Sequence, residues 1–136
     1  MGAWGEGVLE NDLSADVYDD YLEALDQGDS PHRANLVVQE AYGACLSDPH
    51  NTADFWLGLA FAQMDRDCLQ PTVLAQVEEI VTQELGQERW KEDPETWAVR
   101  KGALDAFLEK LQGLTPLHDR ELNLPTPRPW WRRMFG

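Results

Sequence analysis

Residues 51–66 read NTADFWLGLAFAQMDR, and this stretch decides the fold. Phe55, Trp56, Leu57, Leu59, Ala60, Phe61, Ala62 and Met64 distribute apolar groups most of the way round a helix instead of along one stripe. A helix that is apolar on several sides has to be covered on several sides. The segment is therefore expected at the centre of a bundle, starting at Asn51 or Thr52 and running to about Arg66.

Working outward, the chain supplies helices to cover it. Towards the C-terminus, Pro71 opens a helix with Val73, Leu74, Val77, Ile80, Val81 and Leu85 inward and Gly86 as its stop. Asp93-Pro94 is a capping carboxylate followed by proline at the first helical position. It opens another helix, with Trp97, Leu104, Phe107, Leu108 and Leu111 inward and Gly113 closing it. Towards the N-terminus, Ser30-Pro31 gives the same signal, and Ala34, Val37, Val38, Ala41, Tyr42 and Cys45 follow on one face. That helix is expected to end near Ser47, before Asp48-Pro49. A first helix, starting between Asn11 and Ser14 and stopping at Gly28, carries Val17, Tyr18, Tyr21, Leu22 and Leu25 as its apolar stripe.

No segment alternates as a strand does, and the second to fourth helices share no period that would suggest a repeat solenoid. The expectation is an all-α, single-domain bundle of about five helices with short connections and antiparallel neighbours, over residues 1–113. An irregular N-terminus holds Gly2, Gly5 and Gly7 around Trp4. An extended Pro-rich tail, residues 114–136, holds Pro116, Pro125, Pro127 and Pro129 and ends Pro-Trp-Trp-Arg-Arg-Met-Phe-Gly.

Charge narrows the partners. Twenty-five acidic residues against eleven basic ones give 136 residues a formal net charge of -14. Such a surface repels phosphate backbones and anionic lipid, so no nucleic acid and no membrane is expected as a direct partner. The longest strongly apolar stretch, Phe55 to Ala62, is too short to span a bilayer, and no basic-then-apolar leader opens the sequence. Cys45 and Cys68 read as two partly buried free thiols rather than a disulfide framework. A cytoplasmic protein is the expectation. The sequence sets no oligomeric state.

Catalytic chemistry finds little support. His32, His50 and His118 lie apart, the first in the opening turn of a helix and the others in loops. Ser14, Ser30 and Ser47 each sit at or near a helix end, where a hydroxyl caps, and Cys45 belongs to an apolar face. There is no nucleophile elbow, no histidine pair at metal-ligand spacing and no phosphate-cradling glycine loop. Asp16, Asp19, Asp20 and Glu23 share a helix face, but a hard cation takes ligands that converge from a loop, and none is punctuated for that here. No enzyme activity, no metal and no cofactor is expected.

Two features remain as candidate binding surfaces. Asp16, Asp19, Asp20, Glu23 and Asp26 line the side of the first helix opposite its apolar stripe. Residues 1–30 hold Glu6, Glu10, Asp12, Asp16, Asp19, Asp20, Glu23, Asp26 and Asp29 with no Lys or Arg. The face reads either as solvated surface or as a dock for a basic partner. In the tail, Trp130, Trp131 and Phe135 stand beside Arg128, Arg132 and Arg133. This segment can pack back on the bundle, serve as a ligand for another protein, or touch a membrane interface.

The opening MGAWGEGVLENDLSADVYDDYL resembles a family of small bacterial proteins carrying a domain of unknown function, through Met1, Gly2, Trp4, Gly5, Gly7, Asn11, Asp12 and Asp16. The stretch FWLGLAFAQMDRDCLQPTVLAQVEEIVTQELGQERW and the following RKGALDAFLEKL are similar to a helical segment of predicted immunity proteins from bacterial polymorphic toxin systems. The matching residues are Trp56, Leu57, Leu59, Ala60, Leu69, Pro71, Arg89, Trp90, Arg100, Lys101 and Leu104. That family continues into a β-rich region, where this chain has its Trp-Trp-Arg-Arg tail instead. The resemblance implies an immunity protein that binds and neutralises a cognate antibacterial toxin with a basic surface, and it brings no catalytic residues. Partner contact is expected at Asp16, Asp19, Asp20, Glu23 and Asp26, with Trp130 and Trp131 as further candidates. The alternative is a cytosolic adaptor or assembly subunit that docks its partner through the tail.

Overall fold

A computed structural model describes residues 12–117 and is all-helical there, with no strand among the described residues. Five helices carry the fold: α1 (Asp12–Asp26), α2 (Pro31–Tyr42), α3 (Pro49–Asp65), α4 (Pro71–Gln83) and α5 (Pro94–Gln112). A 3-10 turn, Gly43–Cys45, follows α2, and a single helical turn, Glu88–Lys91, links α4 to α5.

Four of the five helices start on a proline, whose fixed φ suits the first turn and whose missing N–H has no partner to lose there. Ahead of three of them a side chain accepts from a free backbone N–H. Ser30 takes Arg33, Asp48 takes His50 and Asp93 takes Glu95. The Asp48 cap corrects the expected start of α3, which lies at Pro49 and not at Asn51 or Thr52. It also corrects two positions read from that boundary. His50 is a buried residue in the first turn of α3 instead of a loop residue. Cys45 lies beyond the end of α2 at Tyr42, and is exposed in the 3-10 turn instead of part of an apolar face.

The apolar run of α3 does what its pattern demands. Phe55, Leu57, Leu59, Ala60, Phe61 and Ala62 are all buried, and Gly58 is buried between them. Phe61 meets Tyr18 of α1 edge-on at 5.5 Å and stacks on Phe107 of α5 at 5.7 Å, so one side chain joins three helices. Phe55 meets Tyr42 of α2 at 6.2 Å. Burying residues of this size dominates the stabilisation, at about 25 cal/mol per Å² of apolar surface.

Contacts advance together along α1 and α3. Ser14 lies against Gly58, Tyr18 bonds Asp65, and Asp26 pairs with Arg66 just past the end of α3. The two helices therefore run broadly the same way and pack directly on each other. α2 packs against α1 and reaches α3 through Tyr42, beside Phe55, and through Asn35, which meets Gln70 beyond the end of α3. Gln70 Oε1 accepts from Asn35 Nδ2 (2.8 Å) and Gln63 Nε2 (2.6 Å), and Gln63 Oε1 accepts the Gln70 backbone N–H (2.9 Å). This amide set satisfies the polar groups that α2, α3 and the α3–α4 connection bury together.

Local exceptions have local causes. Leu85, expected inward, is exposed because α4 ends at Gln83 and Glu84 takes a left-handed conformation (φ 55°) that turns the chain away. Ala41 is exposed, and Trp97 is half-buried beneath the Lys91 ammonium, 5.4 Å from its ring centre. Ser14 is buried in the first turn of α1. Past Gly113, Leu114 and Leu117 pack against the core, and the Leu117 N–H donates to Leu69 O at 2.8 Å. The start of the expected tail thus lies on the bundle. Trp4, the glycines around it and Asn11 lie outside the described residues, as do Trp130 and Trp131.

Candidate functional site

The register of α1 sorts its side chains cleanly. Val17, Tyr21, Ala24 and Leu25 are buried, and Asp16, Asp19, Asp20 and Glu23, at steps of three, one and three, are exposed on the other side. Side chains three and four apart are neighbours on a helix surface, so these four carboxylates form one stripe. Asp20 accepts from the Tyr42 hydroxyl at 2.5 Å, and Glu23 accepts from Gln27 at 3.2 Å. Asp65 enlarges the stripe from α3, where it accepts from the Tyr18 hydroxyl. Partial burial and then these carboxylate acceptors hold both phenols above the ordinary tyrosine range.

Asp26 differs from the other four expected residues. It is half-buried, and Arg66 Nη2 stands 2.7 Å from its Oδ1, so its charge is matched within the bundle. The acidic stripe that faces solvent therefore ends at Glu23 and gains Asp65.

A second polar ensemble lies inside the protein, and the sequence reading missed it. His50 and Asp54, one turn apart on α3, meet Arg100 of α5 and Gln87 and Trp90 of the connection. His50 Nδ1 lies 2.8 Å from Gly86 O, and His50 Nε2 lies 3.4 Å from Asp54 Oδ2. Arg100 Nη2 lies 3.7 Å from Asp54 Oδ1, Arg100 Nε donates to Gln87 Oε1 at 3.3 Å, and the guanidinium sits 4.5 Å over the Trp90 ring. The Asp54 and Arg100 side chains are each 1% exposed. Burial pushes the Asp54 carboxyl above the ordinary range; His50, Arg100 and Arg89 oppose that rise, and Asp48 adds to it.

The signal for this ensemble is present in the sequence. Asp54 stands immediately ahead of the apolar run of α3, one turn before Leu57 and Gly58, and Arg100 falls on the same helical spacing as Trp97, Leu104, Phe107 and Leu111. Two opposite charges on two core-facing stripes are costly unless they meet. Placing His50 in a loop concealed its one-turn relation to Asp54.

Other reactive groups are poorly placed for chemistry. The buried Cys68 thiol lies 3.8 Å from the Tyr21 hydroxyl, and burial pushes it up to about 11, far from a poised thiolate. An open groove of about 480 Å³ at the end of α5 is lined by Ala106, Glu109, Lys110, Gly113 and Leu114, with no serine, cysteine or histidine among these residues. Among the described residues no three His, Cys, Asp or Glu side chains gather as a metal site, and no helix is long and apolar enough to cross a membrane. No family model matches the chain, and neither the curated proteins nor the solved structures contain a match to it.

Proposed function

We propose that this chain is a bacterial immunity protein, an acidic helical module that binds the basic surface of a cognate antibacterial toxin in the cytosol and blocks it. The observation that carries the reading is the exposed stripe Asp16, Asp19, Asp20 and Glu23 on α1. Its helix is held firmly from behind by Val17, Tyr21 and Leu25, so the carboxylates are presented on a rigid element. Like charges at one-turn spacing repel each other and weaken the isolated helix slightly. A basic partner relieves that repulsion and is steered to the stripe from a distance. The resemblance of the α3–α5 sequence to predicted immunity proteins points the same way.

The test is a charge reversal read against a captured partner. The tagged full chain is used to capture proteins from the source bacterium at low and at high salt, beside a D16K/D19K/E23K variant. Asp20 is left in place because it holds the Tyr42 hydroxyl. Wild type is expected to retain one stoichiometric partner with a basic domain, loosened by salt. The purified pair should associate at least about tenfold faster than the variant does, a difference that shrinks as salt screens the charges. An unchanged circular dichroism spectrum checks that the variant is folded. Binding that is equal in both chains at all salt concentrations removes the stripe from the interface, and a captured set without any toxin overturns the immunity reading.

A further inference from the structure

The His50–Asp54 contact sets a proton count. Gly86 O is a carbonyl oxygen and can only accept, so His50 Nδ1, 2.8 Å away, must carry a hydrogen. In a neutral imidazole Nε2 is then a bare acceptor, and it faces Asp54 Oδ2, another acceptor when ionised, at 3.4 Å. Neither Asp54 oxygen has a hydrogen-bond donor among the described residues, and the carboxyl is 1% exposed. Two acceptors facing each other in a nearly water-free place is an arrangement that folded proteins avoid. One proton between Nε2 and Oδ2 turns that repulsion into a hydrogen bond, whichever atom holds it more tightly.

We propose that His50 and Asp54 hold one proton in common, and that this proton latches the Leu85–Asp93 connection onto the first turn of α3, making the connection pH-sensitive. The link is direct, because the imidazole that takes the proton on one edge holds Gly86 on the other. Gly86 is fitted to this seat. It adopts φ +70°, and a Cβ there would lie 2.5 Å from Pro49 O and 2.9 Å from Ala53 Cβ. Its neighbour Gln87 is fully buried and accepts from Arg100, whose guanidinium Trp90 covers. Loss of the proton therefore acts on a segment that α3 and α5 both grip.

The charged groups around the pair act in both directions. Asp48, the capping residue ahead of α3, favours the proton. Arg100 on α5 and Arg89 on the connection disfavour it, and burial favours it. Burial is the largest influence on Asp54 and raises its carboxyl. With the pair apart, the imidazole already keeps one proton below the ordinary histidine range, so the stabilisation is present there and is lost as pH rises through the value at which the latched pair gives that proton up. The latch is thus closed in acid and released towards alkali.

The experiment needs no variant in its first arm. Carbon shifts of the Asp54 carboxyl and nitrogen shifts of the His50 ring are followed against pH in the full chain, with amide protection factors measured in parallel. Asp54 and His50 are expected to respond in the same step, and protection at amides 86–91 to fall about tenfold for each pH unit across it, while protection in α1 stays level. In D54N the side-chain amide donates its NH₂ to a neutral Nε2 or, turned over, accepts through its oxygen from a protonated one, so the connection stays protected and the step disappears. Independent titration of the two residues, with Asp54 at the ordinary carboxylate value, overturns the shared proton. A step that survives in D54N, or wild-type protection that does not change across the step, overturns the latch.

Discussion

Replacing Arg100 with leucine is expected to remove about 3–5 kcal/mol of folding stability, the range seen when one partner of a buried ion pair is deleted. Against the roughly 5–15 kcal/mol that a domain of this size typically has, such a loss is about a fifth or more of the whole. Leucine is apolar and of roughly similar bulk, so the loss comes mainly from the polar partners that remain behind. The Asp54 carboxylate loses the guanidinium 3.7 Å away, Gln87 Oε1 loses its donor, and the Trp90 face loses its cation. The pH dependence separates this cause from simple mispacking. Burial already raises the Asp54 carboxyl, and Arg100 is one of the charges that hold it down, so without Arg100 it rises further. A group raised in the folded state contributes stability below its unfolded value that is lost as pH rises through its folded value. The deficit of R100L should therefore be larger at about pH 8 than at about pH 4.5, because lower pH favours the neutral carboxyl, which needs no cation. Urea unfolding followed by circular dichroism at the two pH values measures it. The double variant R100L/D54L should recover most of the loss, because a buried pair replaced by apolar groups is often neutral. A deficit below about 1 kcal/mol at pH 8 would mean that Arg100 does not compensate Asp54.

What the sequence made legible was local. The all-round apolar run of α3, the Ser30-Pro31 and Asp93-Pro94 starts and the division of α1 into an apolar and an acidic side each depend on residues within two turns of one another. The structure has all of them. Asp48-Pro49 shows where local reading divides. An Asp-Pro pair both closes a preceding helix and opens a following one, and apolar spacing running on to Cys45 favoured closure. The deciding evidence lay downstream, in His50, Ala53, Asp54 and Leu57, whose steps of three, one and three continue one helical face. What remained hidden depended on long-range pairing. Asp26 looks like its four acidic neighbours until Arg66, 40 residues away, is placed beside it. Arg100 looked like part of a basic Arg-Lys step, although its register placed it on the buried side of α5. In both cases the residue type was visible, and its partner was supplied by topology.

The same dependence on topology makes Gly58→Ala the second large effect, although nothing local opposes it. Mid-helix, alanine is favoured over glycine by about 1 kcal/mol, so α3 alone would gain from the change. The crossing with α1 reverses that sign. A Cβ at residue 58 would lie 2.3 Å from the Ser14 carbonyl oxygen, 2.9 Å from its Cα and 3.0 Å from its carbonyl carbon. All three are backbone atoms, so no rotamer change makes room and α1 has to shift as a body. That shift loosens Val17, Tyr21 and Leu25 in the core and disturbs the Tyr18–Asp65 and Asp26–Arg66 contacts that align the acidic stripe. Overpacking of this kind costs about 1–3 kcal/mol and sometimes more. With an unyielding backbone as the obstacle, the net loss for G58A should fall at the upper end. Gly102 provides the internal control. It lies in α5 with nothing within 4 Å of the Cβ it would gain, so G102A should leave stability unchanged or raise it by up to about 1 kcal/mol. Urea midpoints for the two variants are expected to move in opposite directions from wild type. A G58A midpoint at or above that of wild type would mean that α1 does not cross α3 at this residue, and the acidic stripe would then need a different support.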